Sequence, residues 1–241
     1  MTEYVRLQKY FTDCGILSRR AAEAEILAGN VRVNGNTAQL GDKVDPSQDV
    51  VEWNGKRIRP REKKPHIYLM LNKPRGYVTT SKDEKGRRTV LELTKDVGSR
   101  VYPVGRLDMD SEGLLLLTDD GEFANALTHP RHQIPKIYRV TVSPLPTQEQ
   151  LHALSQPMTL DGYRIQPVNV KQVTHGELEM RLFEGRNRQI RKMCASVGLE
   201  VKRLRRVALG KIELGQLPSG AWRYLTAKEA QYLLESETNP H

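Results

Sequence analysis

Four consecutive leucines, Leu114 to Leu117, constrain this chain more than any other feature. Successive side chains of a strand point to opposite faces, so an unbroken apolar run bounded by turn signals must be buried on both sides. The segment leading into it, Gly105-Arg106-Leu107-Asp108-Met109-Asp110-Ser111-Glu112-Gly113, is polar and framed by two glycines. It must therefore sit at the rim of a core, where loops carry chemistry on a rigid scaffold. Asp108, two positions from Arg106, is the residue at which a reaction is expected.

The first 60 residues read as a separate small unit. Leu7, Tyr10 and Phe11 recur at helical spacing, Gly15 closes that helix, and Ser18 is placed to cap a second one that turns Ala22 and Ile26 inward and ends at Gly29. Val31-Arg32-Val33 then alternates into Asn34-Gly35, the strongest short hairpin signal, and Val50, Val51 and Trp53 form a further strand before Asn54-Gly55. Arg6, Lys9, Arg19, Arg20 and Arg32 lie on or beside these helices, so their charges can gather on one face. The stretch from Lys56 to Pro65 is charged, has two prolines and lacks apolar periodicity, which describes an extended linker. The boundaries adopted are a first domain over 1–60, a linker over 61–66 and a second domain over 67–241.

In the second domain Ile67-Tyr-Leu-Met-Leu71 reads as a buried strand turning at Asn72-Lys73-Pro74-Arg75-Gly76-Tyr77. Further strands are expected at 77–80, 113–118, 136–142, 163–173 and 178–183, and helices at about 121–128, 147–155, 187–197 and 227–235. Thr147 with Gln150 matches a capping box, and Ile190, Met193, Cys194 and Val197 form one apolar stripe stopped by Gly198. Strands and helices without regular alternation predict an α+β fold rather than a doubly wound one.

Beyond Arg106 and Asp108, two clusters could carry chemistry. Alternation over Lys136-Ile137-Tyr138-Arg139-Val140 places Lys136 and Tyr138 on one face. The run Glu184-Gly185-Arg186-Asn187-Arg188-Gln189-Ile190-Arg191-Lys192-Met193 carries a strand end into a strongly basic helix. Positive side chains at a helix start oppose the helix dipole but suit phosphate, so contact with a polyanion is expected there. A formal net charge of +9, from 38 Lys and Arg against 29 Asp and Glu, agrees with RNA or DNA as partner.

Other chemistries fit less well. Asp108 and Asp110 would point the same way in an extended segment, about 6–7 Å apart, which is too wide for the retaining carboxylate pair of glycoside hydrolysis. No phosphate-cradling glycine motif occurs, and His129 and His132 straddle Pro130 as turn residues without further metal ligands. Cys14 and Cys194, far apart, fit buried thiols in a reducing compartment. With neither a signal core nor a run of membrane-spanning length, the protein is expected in the cytoplasm, with no membrane partner.

Taken together, these residues resemble the bacterial pseudouridine synthases that act on ribosomal RNA. The resemblance is carried by Gly105-Arg-Leu-Asp108 with Ser111-x-Gly113-Leu-Leu-Leu-Leu-Thr118-x-Asp-Gly121, by Leu71-Asn-Lys-Pro74-x-Gly76, by Lys136-x-Tyr138-x-Val140 and by Glu184-Gly185-Arg186-x-Arg188-Gln189-x-Arg191-Lys-Met193. The first unit resembles an S4 RNA-binding domain through Ser18-Arg19-Arg20 and Gly29-x-Val31-x-Val33-Asn34-Gly35. Ser111 stands where threonine is common and keeps the hydroxyl.

The resemblance implies a small S4-type α/β domain joined to a catalytic domain with a mixed, mainly antiparallel sheet flanked by helices. It implies conversion of a uridine to pseudouridine by base flipping, with no cofactor and no metal. Asp108 would be the catalytic carboxylate, Tyr138 would pack against the base, and Arg191 would pair with Asp108. Arg106 would fill the space left by the flipped nucleotide. Lys136, Arg186 and Arg188, with Arg6, Lys9, Arg19 and Arg20 of the small domain, would hold RNA. The partner would be ribosomal RNA or a ribosomal subunit assembly intermediate, met by a monomer. The alternative from a different class is a non-catalytic RNA-binding assembly factor.

Overall fold

A computed structural model describes residues 4–60, 65–81, 83–129 and 134–235. Residues 61–64 of the linker expected over 61–66, and the turn residue His132, lie outside these residues. The chain divides into two compact units, Met1–Pro65 and His66–His241. No helix among the described residues is long and apolar enough to cross a membrane.

The first unit opens with β1 (Val5–Arg6), α1 (Leu7–Asp13) and α2 (Arg19–Leu27). Leu7, Tyr10, Phe11, Ala22 and Ile26 form the inner faces of the helices, and Ser18 caps α2 by accepting the Ala21 N–H at 3.3 Å. The chain continues through β2 (Val31–Val33), β3 (Asn36–Thr37), β4 (Lys43–Val44), β5 (Val51–Trp53) and β6 (Lys56–Ile58). β4 pairs with β1, and the other four strands form a sheet in the order β3-β2-β5-β6. Both Asn-Gly pairs, Asn34-Gly35 and Asn54-Gly55, take positive φ at both positions and make tight hairpin turns. The second turn corrects the linker reading. Lys56–Ile58 folds back on Val51–Trp53 instead of running on as a tether, and Ile58 closes the small core.

The second unit begins with β7 (Tyr68–Lys73), a 3₁₀ segment over Val90–Val97, β8 (Tyr102–Val104), β9 (Glu112–Thr118) and α3 (Gly121–Thr128). It continues with β10 (Lys136–Ser143), α4 (Gln148–Ser155), the short hairpin β11 (Thr159–Leu160) and β12 (Tyr163–Arg164), then β13 (Asn169–Thr174) and β14 (Glu177–Leu182). The final elements are α5 (Gln189–Ser196), β15 (Glu200–Leu209), β16 (Ile212–Glu213), β17 (Trp222–Tyr224) and α6 (Ala227–Glu235). The main sheet runs β13-β14-β10-β15-β9-β7-β17, with β16 beside β15 and β8 beside β9. Every pairing in it is antiparallel except β15 with β9. The expected mixed, mainly antiparallel sheet is therefore present.

The leucine run does what its pattern requires. Leu115 and Leu117 enter the core on one side of the sheet, and Leu114 and Leu116 the core on the other. Each such burial stabilises by about 1.5–3 kcal/mol, enough to fix the strand and the loop before it.

Two strand expectations are corrected. Residues 77–80 form no strand; Val78 makes one isolated bridge with Thr89, and Thr79 spends its hydroxyl on Leu107. The stretch 163–173 is broken after Arg164, where Pro167 offers no N–H for a continuous ladder.

Candidate active site

The loop from Gly105 to Ser111 crosses the end of the sheet between β8 and β9. Its backbone is fastened at every carbonyl from Leu107 to Ser111. Leu107 accepts from the Thr79 hydroxyl at 2.7 Å, Asp108 from Lys73 Nζ at 2.9 Å, Met109 from the Gly76 N–H at 2.8 Å, Asp110 from Arg191 Nη2 at 3.0 Å and Ser111 from Lys73 Nζ at 2.8 Å. The Ser111 N–H closes the turn on the Asp108 carbonyl at 3.0 Å. A half-buried loop stays fixed only if its peptide groups are satisfied in this way. The turn also corrects the extended geometry assumed for Asp108 and Asp110, whose side chains are placed by a bend rather than by strand alternation.

Lys73, fully buried at the end of β7, is the peg of this loop. A third bond to the Pro74 carbonyl at 3.1 Å uses its remaining proton, and three N–H donors are available only from the ammonium. Burial pushes Lys73 down to about 8, against the opposing pull of Asp108, Asp110 and Glu112. The sequence motif containing Lys73 was visible, but its role was not assigned. The signal was a lysine closing an otherwise apolar strand, Tyr68-Leu-Met-Leu-Asn-Lys73.

Asp108 is one-third exposed and lines a cleft of about 640 Å³ together with Tyr138, Arg106, Lys136, Arg188 and Arg206. Tyr138, 9% exposed on β10, presents its ring from the neighbouring wall. The cation beside Asp108 is Arg188, with Nη1 3.8 Å from Oδ2. That pairing corrects the expectation for Arg191. Its Nη2 lies 3.2 Å from the Asp110 carboxylate, and its Nη1 is spent on the Val201 carbonyl at 3.1 Å.

Asp110 is the organiser of these charges. Arg188 grips it in a fork, Nη1 to Oδ1 at 3.2 Å and Nη2 to Oδ2 at 3.1 Å. Burial would raise Asp110, but the Arg188 hydrogen bonds and the Arg191 and Arg188 charges outweigh it and hold the carboxyl below its ordinary range. Arg188 itself has φ +53, a left-handed backbone that costs a non-glycine residue about 1–2 kcal/mol. The strain is tolerated because it swings the guanidinium across to both aspartates just before α5 begins.

Two further cations stand behind the cleft. Arg206 on β15 is 5% exposed and donates Nε to the Leu114 carbonyl at 2.7 Å. Its backbone lies so close to Gly113 that a Cβ there would meet the Arg206 carbonyl oxygen at 2.2 Å. Lys136 donates to the Ile134 carbonyl at 3.1 Å and is lowered to about 8, first by burial and then by the charge of Arg206. Arg106 is exposed at the rim of the cleft. Arg186 lies against Tyr163, and Glu184 holds its Nε at 3.4 Å. Cys194 is fully buried on the stripe of α5, and burial pushes its thiol up to about 12, as befits a core residue. In the small unit Arg6 donates to the Gly41 carbonyl, Lys9 pairs with Asp13, and Arg19 and Arg20 are exposed at the start of α2.

A loop-borne carboxylate facing an aromatic ring in a basic cleft suits chemistry on a nucleoside held against polyanionic RNA. The chain belongs to the RNA pseudouridylate synthase family, whose profile matches residues 67–196, and it carries an S4 domain over residues 5–50. It is 42% identical over 238 residues to an uncharacterised RNA pseudouridine synthase of Aquifex aeolicus, covering 96% of this chain and 94% of that one. It is 40% identical to the ribosomal large subunit pseudouridine synthase B of Bacillus subtilis, over 95% of each. The dual-specificity RNA pseudouridine synthase RluF of Escherichia coli is 40% identical over 93% of this chain and 77% of its own length. A crystal structure of a pseudouridylate synthase superposes with a TM-score of 0.69 at 28% identity, covering 95% of this chain and 99% of that one.

Proposed function

We propose that this protein isomerises a uridine of ribosomal RNA to pseudouridine, with Asp108 as the catalytic carboxylate. In that reaction the N1–C1′ glycosidic bond breaks, the uracil turns while still held in the cleft, and a C5–C1′ bond forms. The proton carried by C5 is then lost, and N1 gains one, so the product is an isomer of the substrate. The observation that carries the assignment is the position of Asp108: a carboxylate at the cleft surface, on a loop whose carbonyls from Leu107 to Ser111 are all fastened, with the Arg188 guanidinium 3.8 Å away.

The roles of the surrounding groups follow from their places. Tyr138 supplies a flat wall against which an extruded base packs. Arg106, exposed at the rim, is free to enter the gap that base leaves in its helix. Lys136, Arg188 and Arg206 make the cleft positive, which attracts the phosphates on either side of the nucleotide. The S4 unit holds structured RNA by phosphate and shape through Arg19 and Arg20. Cys14 and Cys194, both buried and in no disulfide, support work in the reducing cytoplasm.

Asp108→Asn tests the assignment, because it keeps shape and removes charge. Pseudouridine mapped in both ribosomal RNAs is expected to vanish at the target site, while RNA affinity changes less than about threefold. Retained turnover would overturn the role of Asp108. Absence of any dependent pseudouridine in cells lacking the protein would favour the assembly factor instead.

A further inference from the structure

Tyr163 belongs to no motif that points to the reaction, yet it lines the same cleft as Asp108 and Tyr138 and is 46% exposed. It is the first residue after the tight Asp161-Gly162 turn of the β11–β12 hairpin, paired with Leu160. The Arg186 guanidinium lies over one face of its ring, 3.0 Å from the centroid. With that face covered, the exposure is carried by the opposite face and the edge. Arg186 is itself held by Glu184, whose carboxylate also accepts the Gln166 N–H at 3.1 Å and the Gln189 side chain at 3.1 Å. Lys192 ties Asp161 to α5. Ile165, buried just beyond β12, bonds the Met158 carbonyl at 2.9 Å and anchors the base of the hairpin.

We propose that Tyr163 is a stacking platform for a nucleobase of the RNA adjacent to the uridine that enters the cleft, with Arg186 fixed beneath the ring. The proposal rests on the reading of the cleft as the site of uridine isomerisation. Unstacked bases are bound on aromatic rings, and this contact tolerates any base because every base has a π face. A guanidinium under the ring adds a cation–π contact and holds the ring still, so less freedom is lost when a base arrives. Fastening alone does not explain an aromatic residue here. Glu184 already holds Arg186, and an aliphatic side chain would cover the guanidinium without presenting a flat, wetted face.

The test uses the full chain and a 12-nucleotide oligouridine RNA carrying one 2-aminopurine beside its central uridine. Stacking on the ring is expected to quench the fluorescence in the wild-type complex. Tyr163→Leu should lose the quenching and bind about tenfold more weakly. Tyr163→Phe should keep both, which separates loss of the platform from loss of the hairpin. No quenching with the wild-type protein, or quenching and affinity unchanged in Tyr163→Leu, overturns the proposal. Pseudouridine formation on ribosomal RNA transcripts by the same wild-type preparation checks the parent reading separately, since it does not depend on where the flanking base rests.

Discussion

Replacing Gly113 by alanine should damage this protein more than any other single methyl added at a glycine of the larger unit with positive φ. Gly113 has φ +106, and the added Cβ would lie 2.2 Å from the Arg206 carbonyl oxygen and 2.8 Å from its nitrogen. Both atoms are backbone, so no side chain can rotate away. The cost has two parts. Holding a non-glycine residue in that region takes about 1–3 kcal/mol, and forcing the strands apart takes roughly another 1–3 kcal/mol. About 4 kcal/mol is a large share of the roughly 5–15 kcal/mol that holds a domain together. At roughly 2–4 °C per kcal/mol for a unit of this size, the melting temperature should fall by about 10 °C. The parallel seam being pried open is short, formed by Arg205 opposite Glu112 and Arg206 opposite Gly113, and Arg206 Nε on the Leu114 carbonyl and Arg203 on Glu112 also cross it. Urea unfolding followed by Trp222 fluorescence, in a Trp53→Phe background, reads the larger unit alone. Gly215→Ala is the control: its φ is +58 but nothing lies within 4 Å, so only the backbone penalty of about 1 kcal/mol applies. If the two variants differ by less than about 1 kcal/mol, the close approach does not govern this seam.

The lowered lysines give a pH dependence. Lys136 titrates near 8 in the fold against an ordinary value of 10.5, so between those limits the unfolded chain holds the extra proton and stability rises with pH, by up to about 3 kcal/mol for this group. Urea midpoints from pH 7.5 to 10.5 should rise less steeply in Lys136→Met, while wild-type RNA affinity falls above about pH 8 and its salt slope drops by about one phosphate contact. Lys73→Met strips hydrogen-bond donors from the Pro74, Asp108 and Ser111 carbonyls. The loss, partly offset by no longer burying a charge, should be about 3 kcal/mol with turnover lost as the loop loosens; unchanged stability and kcat would show that the loop does not need its peg.

How much of this was legible in the sequence depends on how local each signal is. The leucine run, the helix over 121–128, the Thr147–Gln150 capping box and the stripe of α5 are written by neighbours within a few residues, and all are present as read. β15 was not legible, although it lies at the centre of the sheet. Its pairing with β10 skips Lys202 and Val207, so the inward residues Val201, Leu204, Arg206 and Ala208 break the period of two, and its many arginines read as a solvated basic run. The second Asn-Gly turn carried the same signal as the first, but the charged residues after it hid the hairpin. At the site, Asp108, Tyr138, Arg106, Lys136, Arg186 and Arg188 line one cleft. The partner of Asp108 was misassigned because the turn from Asp108 to Ser111 sends Asp110, not Asp108, towards Arg191. Tyr163 had no local signature; its place depends on a hairpin docked against a helix that begins 25 residues later.

The central position of β15 has a consequence for how the protein is made. Asp108 sits on the loop between β8 and β9, which are synthesised early with β7, and Tyr138 belongs to a set of three strands that follows. Among the described residues, only Glu200–Leu209 joins the two sets edge to edge. A chain still emerging from the ribosome can thus hold its small unit and the strands from β7 to β14 while having no cleft at all, and β17 joins the edge of β7 later still. Glu200–Leu209 must therefore be made before the two sets are riveted together, and a nascent chain that stops short of it carries Asp108 and Tyr138 without a shared cleft.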